Sequence, residues 1–513
     1  MSSPLVLSFD LGTQSIKALL VDAAGATVGR VVRRFPVPYL SPQPNRAEQD
    51  PEMYYRALCE LSCELRRSYP EEFSRIACLV LTTFRDSYVC LDRSGKVLRP
   101  AILWPDQRKA SKSARVSPLK SAAFRLAGVS ETIDLLGRTC MCNWLAENEP
   151  EIWEKTDKFI LISTYLNFRL TGRLVDSAAC QIAHLPFDYK NRCWDEKGIT
   201  RSLYNVPNDK LCDLLPSGTV IGTLTTETAA LSGLPQNLPL VSTAADKACE
   251  TTGLGVLGSG MAALSYGTSC TVELTSPRYF EPSPFMPAYP ALPNNLYNGE
   301  LQLWRGYWMV TWFIENFGEK EQREAEVLGC RPEELLDAKL SGIPAGSDGL
   351  LVLPHWTPCL TTPDARGAVI GFTDAHTKYH LYRAIIEGLN YGLMEGLYGM
   401  EKRLGDKVSL LRVAGGGSRS DGICALTADM FGLPVERIQT DDAGALGAAM
   451  CGFIFKGEFS DYSQAAEAMV HPREPFLPHP ETRPLYEALY REVYSDYYKT
   501  VRPLHRRINR FIK

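Results

Sequence analysis

Several things are missing from this 513-residue chain. No apolar run approaches the roughly 18 residues a membrane-spanning helix needs. The best short runs, such as Ile76 to Leu81, have the length of strands. Charge is balanced: 55 Lys and Arg stand against 59 Asp and Glu, a formal net charge of −4, which excludes bulk attraction to nucleic acid or to an anionic membrane surface. The N-terminus has no basic stretch ahead of an apolar one and already carries Asp10, so it does not read as a secretory signal. None of the 15 cysteines falls in a CxxC pair. Scattered thiols without a secretion signal read as reduced and mostly buried, and the expected location is cytoplasmic.

What is present is ordinary for a soluble enzyme. The composition is 45% hydrophobic and 22% charged, and the length allows about two to four domains with a cleft between them. Proline-rich stretches from Pro36 to Pro51, Pro277 to Pro293 and Pro472 to Pro484 cannot continue helices or central strands, so they read as surface connections. Between them, short β-like runs alternate with helical patterns such as Asn143 to Thr156, which predicts α/β architecture. Leu5 to Asp22 reads as strand, polar Gly-Thr turn, strand, and Met261 to Leu274 repeats that scheme about 255 residues later. Two similar domains follow, 1–250 and 251–513, with the boundary between Asp246 and Gly260. Tyr486, Tyr490, Tyr494 and Tyr497 recur at helical spacing and predict a packed helix face. The basic stretch Lys499 to Lys513 reads as a solvated tail.

Five places could carry chemistry. In Asp10-Leu-Gly-Thr-Gln-Ser15 a carboxylate could hold Mg2+ while the N–H groups of Gly12 to Ser15, with the Thr13 and Ser15 hydroxyls, meet phosphate oxygens; an Asp/Gly hairpin turn is the plain alternative. Gly267-Thr268-Ser269 offers a second turn of the same kind. Gly415, Gly416, Gly417 and Ser418 sit where a strand should give way to a helix, so backbone is exposed for a nucleotide or merely makes a tight turn. Asp246, at a strand end before a helix, is placed either as a general base or as a helix cap. Arg85-Asp86 and Trp104-Pro-Asp106 could donate and accept hydrogen bonds to a polyol against an apolar wall, or be an ion pair beside a core tryptophan.

In this order, and along nearly the whole chain, these motifs resemble the FGGY family of carbohydrate kinases. Asp10 to Ser15 looks like its first phosphate motif, Gly267 to Ser269 like the second and Gly415 to Ser418 like the adenosine motif. Gly367 to Gly371 with His380 to Glu387 follows its C-terminal signature, and Asp442-Ala-Gly-Ala-Leu-Gly-Ala-Ala449 also fits. The resemblance implies two actin-like ATPase (ribonuclease H-like) domains around a central cleft, the first mainly for sugar and the second mainly for ATP. It also implies Asp246 as the base, Asp10 at Mg2+, and a small polyol or sugar as the partner. Homo-oligomerisation is left open. Arg85, Asp86, Trp104, Asp106, Asp246 and Lys247 become the expected substrate contacts. Three positions depart from the pattern: Met141 where a lysine is expected, Phe372 where an aliphatic residue is, and Lys247 where the glycerol kinase branch has glutamine. Arg85-Asp86 is more like the Arg-Glu pair of glycerol kinases than the Gly-Gln-Met-His pattern of xylulokinases, and autoinducer-2 kinases carry a similar pair. The alternative of another class is an actin-like protein that spends ATP on shape change, a chaperone or filament component without kinase activity.

Overall fold

Leu5–Leu11 is buried at every position but Asp10, the pattern of a central strand covered on both faces. It pairs antiparallel with Ser15–Val21, which pairs antiparallel with Thr27–Arg34. On its other side it pairs parallel with Ile76–Thr83, and that strand pairs parallel with Pro239–Val241. An antiparallel edge strand, Val220–Thr223, completes the six-stranded sheet. The computed structural model describes residues 3–112, 121, 124–126, 130–358 and 362–512.

Two compact units divide the chain. The first takes Met1–Gly255 together with Tyr289–Leu296 and Asp442–Val470; the second takes Val256–Ala288, Tyr297–Asp441 and His471–Lys513. The C-terminal stretch Asp442–Val470 thus packs with the N-terminal half, a return across the chain that hydrophobic patterning does not announce. In the first unit the helix Ala443–Phe455 lies on the strands Leu5–Leu11 and Ile76–Thr83, and Ser8 Oγ donates to the Ala445 carbonyl at 2.8 Å. The long helix Pro51–Ser68, opened by the Asp50 side chain accepting from the Glu52 N–H, packs against the strands Ser15–Val21 and Thr27–Arg34.

In the second unit the strands run Tyr297–Leu303, Cys270–Ser276, Met261–Tyr266, Leu410–Ala414, Val435–Glu436. The first three are antiparallel neighbours and the last two join in parallel. The same scheme therefore occurs twice: three antiparallel strands, then two parallel ones beside the first. The repeat read from the two Gly-Thr hairpins is the visible end of it. The helix Lys378–Leu404 covers this sheet, and within it Glu387 accepts from Arg383 Nε (2.8 Å), the Ser347 hydroxyl (2.8 Å) and the Tyr486 hydroxyl (2.8 Å), so the His380 to Glu387 signature is a buried brace.

Two local expectations need correction. The helical pattern Asn143 to Thr156 is two helices, Met141–Asn148 and Pro150–Lys155, because proline can open a helix but not continue one. The basic C-terminal stretch is solvated over most of its length, as expected, but it is not a loose tail: it lies largely in the helix Ser495–Ile508, with Arg502 and Arg506 both on the Asp364 carboxylate at 2.8 and 2.7 Å. Tyr486, Tyr494 and Tyr497 are buried in the core of this unit, with the Tyr494 ring 4.9 Å from that of Tyr391. No described helix is long and apolar enough to cross a membrane.

Candidate functional site

The first turn is closed by the Gly12 N–H donating to the Ser15 carbonyl at 2.9 Å, which leaves Gln14 exposed at its tip and Thr13 half-buried. Thr13 Oγ1 accepts from the Trp104 indole N–H at 2.8 Å. Asp10 and Lys17 face each other across the hairpin register, with Lys17 Nζ 3.0 Å from Asp10 Oδ2. The same ammonium lies 3.1 Å from Asp442 Oδ1, and Arg30 Nε lies 2.8 Å from Asp442 Oδ2. Burial works against the Lys17 charge, but Asp10 and Asp442 outweigh it and hold its pKa well above the ordinary lysine value. Burial likewise opposes the Asp442 carboxylate, and Arg30 and Lys17 overcome it and hold its pKa down.

Asp246 is the first residue of the helix Asp246–Gly253; Ala245 occupies the cap position and caps nothing with its side chain. The Asp246 carboxylate accepts from the Lys247 N–H at 2.8 Å and has Arg85 Nε 3.6 Å away. Lys247 Nζ turns to Glu250 at 2.8 Å. Burial pushes the Asp246 carboxyl above its ordinary pKa, with Arg85 and Lys247 pulling back. The strand end behind it is fixed by the Thr82 hydroxyl donating to the Ala244 carbonyl at 3.0 Å.

The helix bearing Asp246 and the helix following Asp442 cross backbone to backbone. A Cβ on Gly253 would stand 1.9 Å from the Ala443 carbonyl oxygen, and one on Gly447 would stand 2.0 Å from that of Cys249. Only glycine permits that approach. It brings Gly444 beside both candidates: a methyl there would be 3.9 Å from the Asp10 carboxylate and 3.9 Å from the Asp246 carbonyl. The Asp10 carboxylate and the Asp246 main chain thus flank the same glycine.

Asp86 sits in left-handed backbone at φ 52°. Its carboxylate accepts from the Tyr88 hydroxyl, from the His184 N–H at 3.1 Å and from His184 Nδ1 at 3.1 Å. Burial opposes charge on both partners of this pair, yet each sustains the other: His184 is held up at about 9 by Asp86, and Asp86 is held below its ordinary value by His184. The Arg85 guanidinium carbon lies 5.6 Å from the Tyr289 ring centre, and Tyr189 packs on the same ring at 5.4 Å.

Asp106 is differently employed. Its side chain is 1% exposed and its oxygens accept from the Ala47 N–H, the Arg108 N–H and the Arg108 guanidinium at 2.7 to 2.9 Å. Arg108 also reaches Glu48 at 2.6 Å and stacks 4.6 Å from the Trp144 ring centre. Asp106 therefore braces the segment that presents Trp104 instead of opening onto a ligand. Met141, at the position where a lysine was expected, is buried.

In the second unit Gly267 N–H donates to the Ser269 carbonyl at 3.1 Å, the Thr268 carbonyl accepts from Gly306 at 2.9 Å, and the Ser269 hydroxyl accepts from Gln302 at 3.1 Å. Thr268 is exposed at the tip of this turn. Gly415, at φ 87°, passes so close to the Tyr266 backbone that a Cβ would lie 2.7 Å from it, whereas one on Gly416 would meet nothing within 4 Å. A Cβ on Gly417 would strike the Tyr307 ring at 2.5 Å. Ser418 is buried, with its hydroxyl donating to the Gly415 carbonyl at 2.7 Å, so it shapes the turn while Gly416 offers the open backbone. The helix Asp421–Phe431 follows, capped by the Ser420 side chain.

Lys17, Asp442, His184, Glu250 and Tyr289 join these groups without having been expected. Asp442 stood inside a recognised motif with no role attached, and Lys17 lies in register with Asp10. Nothing local in sequence signals His184, which comes from a connecting segment, or Tyr289, which opens the two-residue strand Tyr289–Pro290.

Residues 5–253 match the family model described as FGGY family of carbohydrate kinases, N-terminal domain, and residues 262–455 match that of the C-terminal domain. The chain is 28% identical to a xylulose kinase of Lactococcus lactis subsp. lactis (strain IL1403), over 99% of each chain. It is 26% identical to an uncharacterized sugar kinase, YgcE, of Escherichia coli (strain K12), over 97% of this chain and 94% of that one. The crystal structure of a xylulose kinase from Rhodospirillum rubrum matches with a TM-score of 0.83 at 25% identity, covering 98% of this chain and 100% of that one. The chain thus has the two-domain, actin-like ATPase fold of this family.

Proposed function

The chain belongs to the FGGY family of carbohydrate kinases, and from that premise we propose that it transfers the γ-phosphoryl group of ATP to a hydroxyl of a small polyol or ketose, with Asp246 as general base and Mg2+ at Asp10. As a carbohydrate kinase it phosphorylates a sugar or polyol at the expense of ATP, and the reading as an ATP-driven binding protein gives way. The observation that carries the finer proposal is Asp246: a carboxyl with raised pKa, at the first turn of a helix, beside the arginine of the Arg85-Asp86 pair.

In this reading Asp246 accepts the proton of the acceptor hydroxyl as its oxygen bonds to the γ-phosphorus and ADP departs. Arg85 donates to a substrate oxygen, and Asp86, aimed by His184 and Tyr88, accepts from a hydroxyl. Trp104, fixed to Thr13, supplies the apolar wall. The turns Gly12 to Ser15 and Gly267 to Ser269, each closed by its first glycine N–H, offer the backbone N–H groups and hydroxyls that follow to phosphate oxygens, and the backbone of Gly415 to Gly417 lines the adenosine. Mg2+ takes hard oxygen donors and asks for only one or two carboxylates beside phosphate and water, so the half-buried Asp10 at the mouth of a phosphate-type turn fits it. When bound, the ion neutralises charge on the transferring phosphates.

A panel assay tests the proposal. ADP release from ATP and Mg2+ is measured with glycerol, erythritol, pentitols, ketopentoses, ketohexoses and an aldonic acid, against a blank and against EDTA. Stimulation by a neutral polyol or ketose, abolished by EDTA, is expected. Stimulation by the aldonic acid alone, or stimulation indifferent to EDTA, overturns it.

A further inference from the structure

Four charged side chains from separate stretches of the first unit form one continuous row. Asp10 and Lys17 come from the two strands of the hairpin, Arg30 from the third strand, and Asp442 from the position just before the helix Ala443–Phe455. Lys17 stands between two carboxylates at nearly equal distances, 3.0 Å to Asp10 and 3.1 Å to Asp442, and the far oxygen of Asp442 is held by Arg30 at 2.8 Å. The Asp442 side chain is 8% exposed, against 27% for Lys17 and 47% for Arg30, so solvent screens the row least at Asp442.

An ammonium shared by two carboxylates neutralises neither completely. Without charge on Asp442, Lys17 would fall wholly to Asp10 and compete there with any incoming cation. We propose that Asp442 is a positioning residue: by drawing Lys17 away, it keeps the negative charge of Asp10 available to the divalent cation that arrives with ATP, and Arg30 holds Asp442 in that position. The inference rests on the reading of Asp10 as the carboxylate that takes Mg2+. It gives a chemical reason for an acidic residue at the head of the Ala443 helix, where its side chain makes no capping bond.

The test needs no sugar. ATP binding to the full chain is measured by calorimetry in Mg2+ and in EDTA, and the ratio of the two dissociation constants gives the cation's contribution. Asp442→Asn lowers that ratio roughly three- to tenfold, within the lower part of the range of coupling between contacting groups, while Asp442→Glu keeps most of it. Arg30→Met produces a smaller fall in the same direction. In a Lys17→Gln background, Asp442→Asn no longer changes the ratio, because its route to Asp10 is gone. A merely structural role for Asp442 gives another pattern: a lower melting temperature for Asp442→Asn with the ratio unmoved, or a fall that persists without Lys17. Either overturns the proposal. Asp10→Asn separates the two readings. If it collapses the ratio while Asp442→Asn leaves it unchanged, only the coupling fails; if Asp10→Asn itself leaves the ratio unchanged, the assignment of Asp10 fails and the coupling falls with it.

Discussion

Arg85 Nε stands 3.6 Å from Asp246 Oδ1 and is the strongest of the charges that offset the burial of that carboxyl. A general base works only when deprotonated, so turnover falls as pH drops through the raised pKa of Asp246. Arg85 stabilises the carboxylate. Arg85→Met therefore moves the acid limb of the kcat profile to higher pH, and the opposite movement or none counts against Asp246 as the group that titrates.

The Asp86–His184 pair makes folding stability depend on pH. The His184 pKa is raised in the folded protein, from an ordinary 6.5 to about 9. Its contribution is fully present below about 6.5 and is lost as pH rises to about 9. The Asp86 pKa is lowered, so its contribution is present above 3.8 and is lost as pH falls below that. Melting temperatures of the wild type should decline between pH 6.5 and 9 more steeply than those of His184→Asn. Parallel curves would remove the pair from the stability account.

Gly415 and Gly416 separate folding from binding. Ala at 415 meets both left-handed backbone at φ 87° and the Tyr266 main chain, and should cost about 1 to 3 kcal/mol or more of stability. Ala at 416 meets open space, so Gly416→Ala should melt like the wild type yet bind ATP more weakly. Thermal unfolding and ATP calorimetry on both variants check this.

Asp106→Asn tests the brace. Arg108 would keep Glu48 but lose its main partner in a buried setting, at about 3 kcal/mol of stability. The KM for the acceptor should stay within about twofold in the folded fraction, since Asp106 faces no ligand. A large KM effect with unchanged melting would restore it to the substrate contacts.

The outline of the fold was legible because its signals are local. Leu5–Leu11, the Gly-Thr turns and the Gly415 junction each combine an apolar run with residues that only a turn tolerates. Asp246 was legible in position: its own segment reads as a cap or a base, the family resemblance implies the base, and the structure gives the cap position to Ala245. The remainder depends on long-range closure. Asp442 reaches Lys17 because Gly253 and Gly447 let two helices touch across nearly 200 residues, and His184 reaches Asp86 from a connection with no periodicity of its own. Asp106 misled because a polar residue beside tryptophan looks available, whereas its ligands, Ala47 and Arg108, are found only in space.

The most direct test of the central claim compares wild type with Asp246→Asn, measuring acceptor-stimulated ADP release and ATP affinity on the same preparations. Release should fall about a hundred- to ten-thousandfold in the variant while ATP affinity changes little. Retention of acceptor-stimulated turnover within about tenfold, or loss of ATP binding in parallel with turnover, would contradict Asp246 as the base that takes the proton from the sugar hydroxyl.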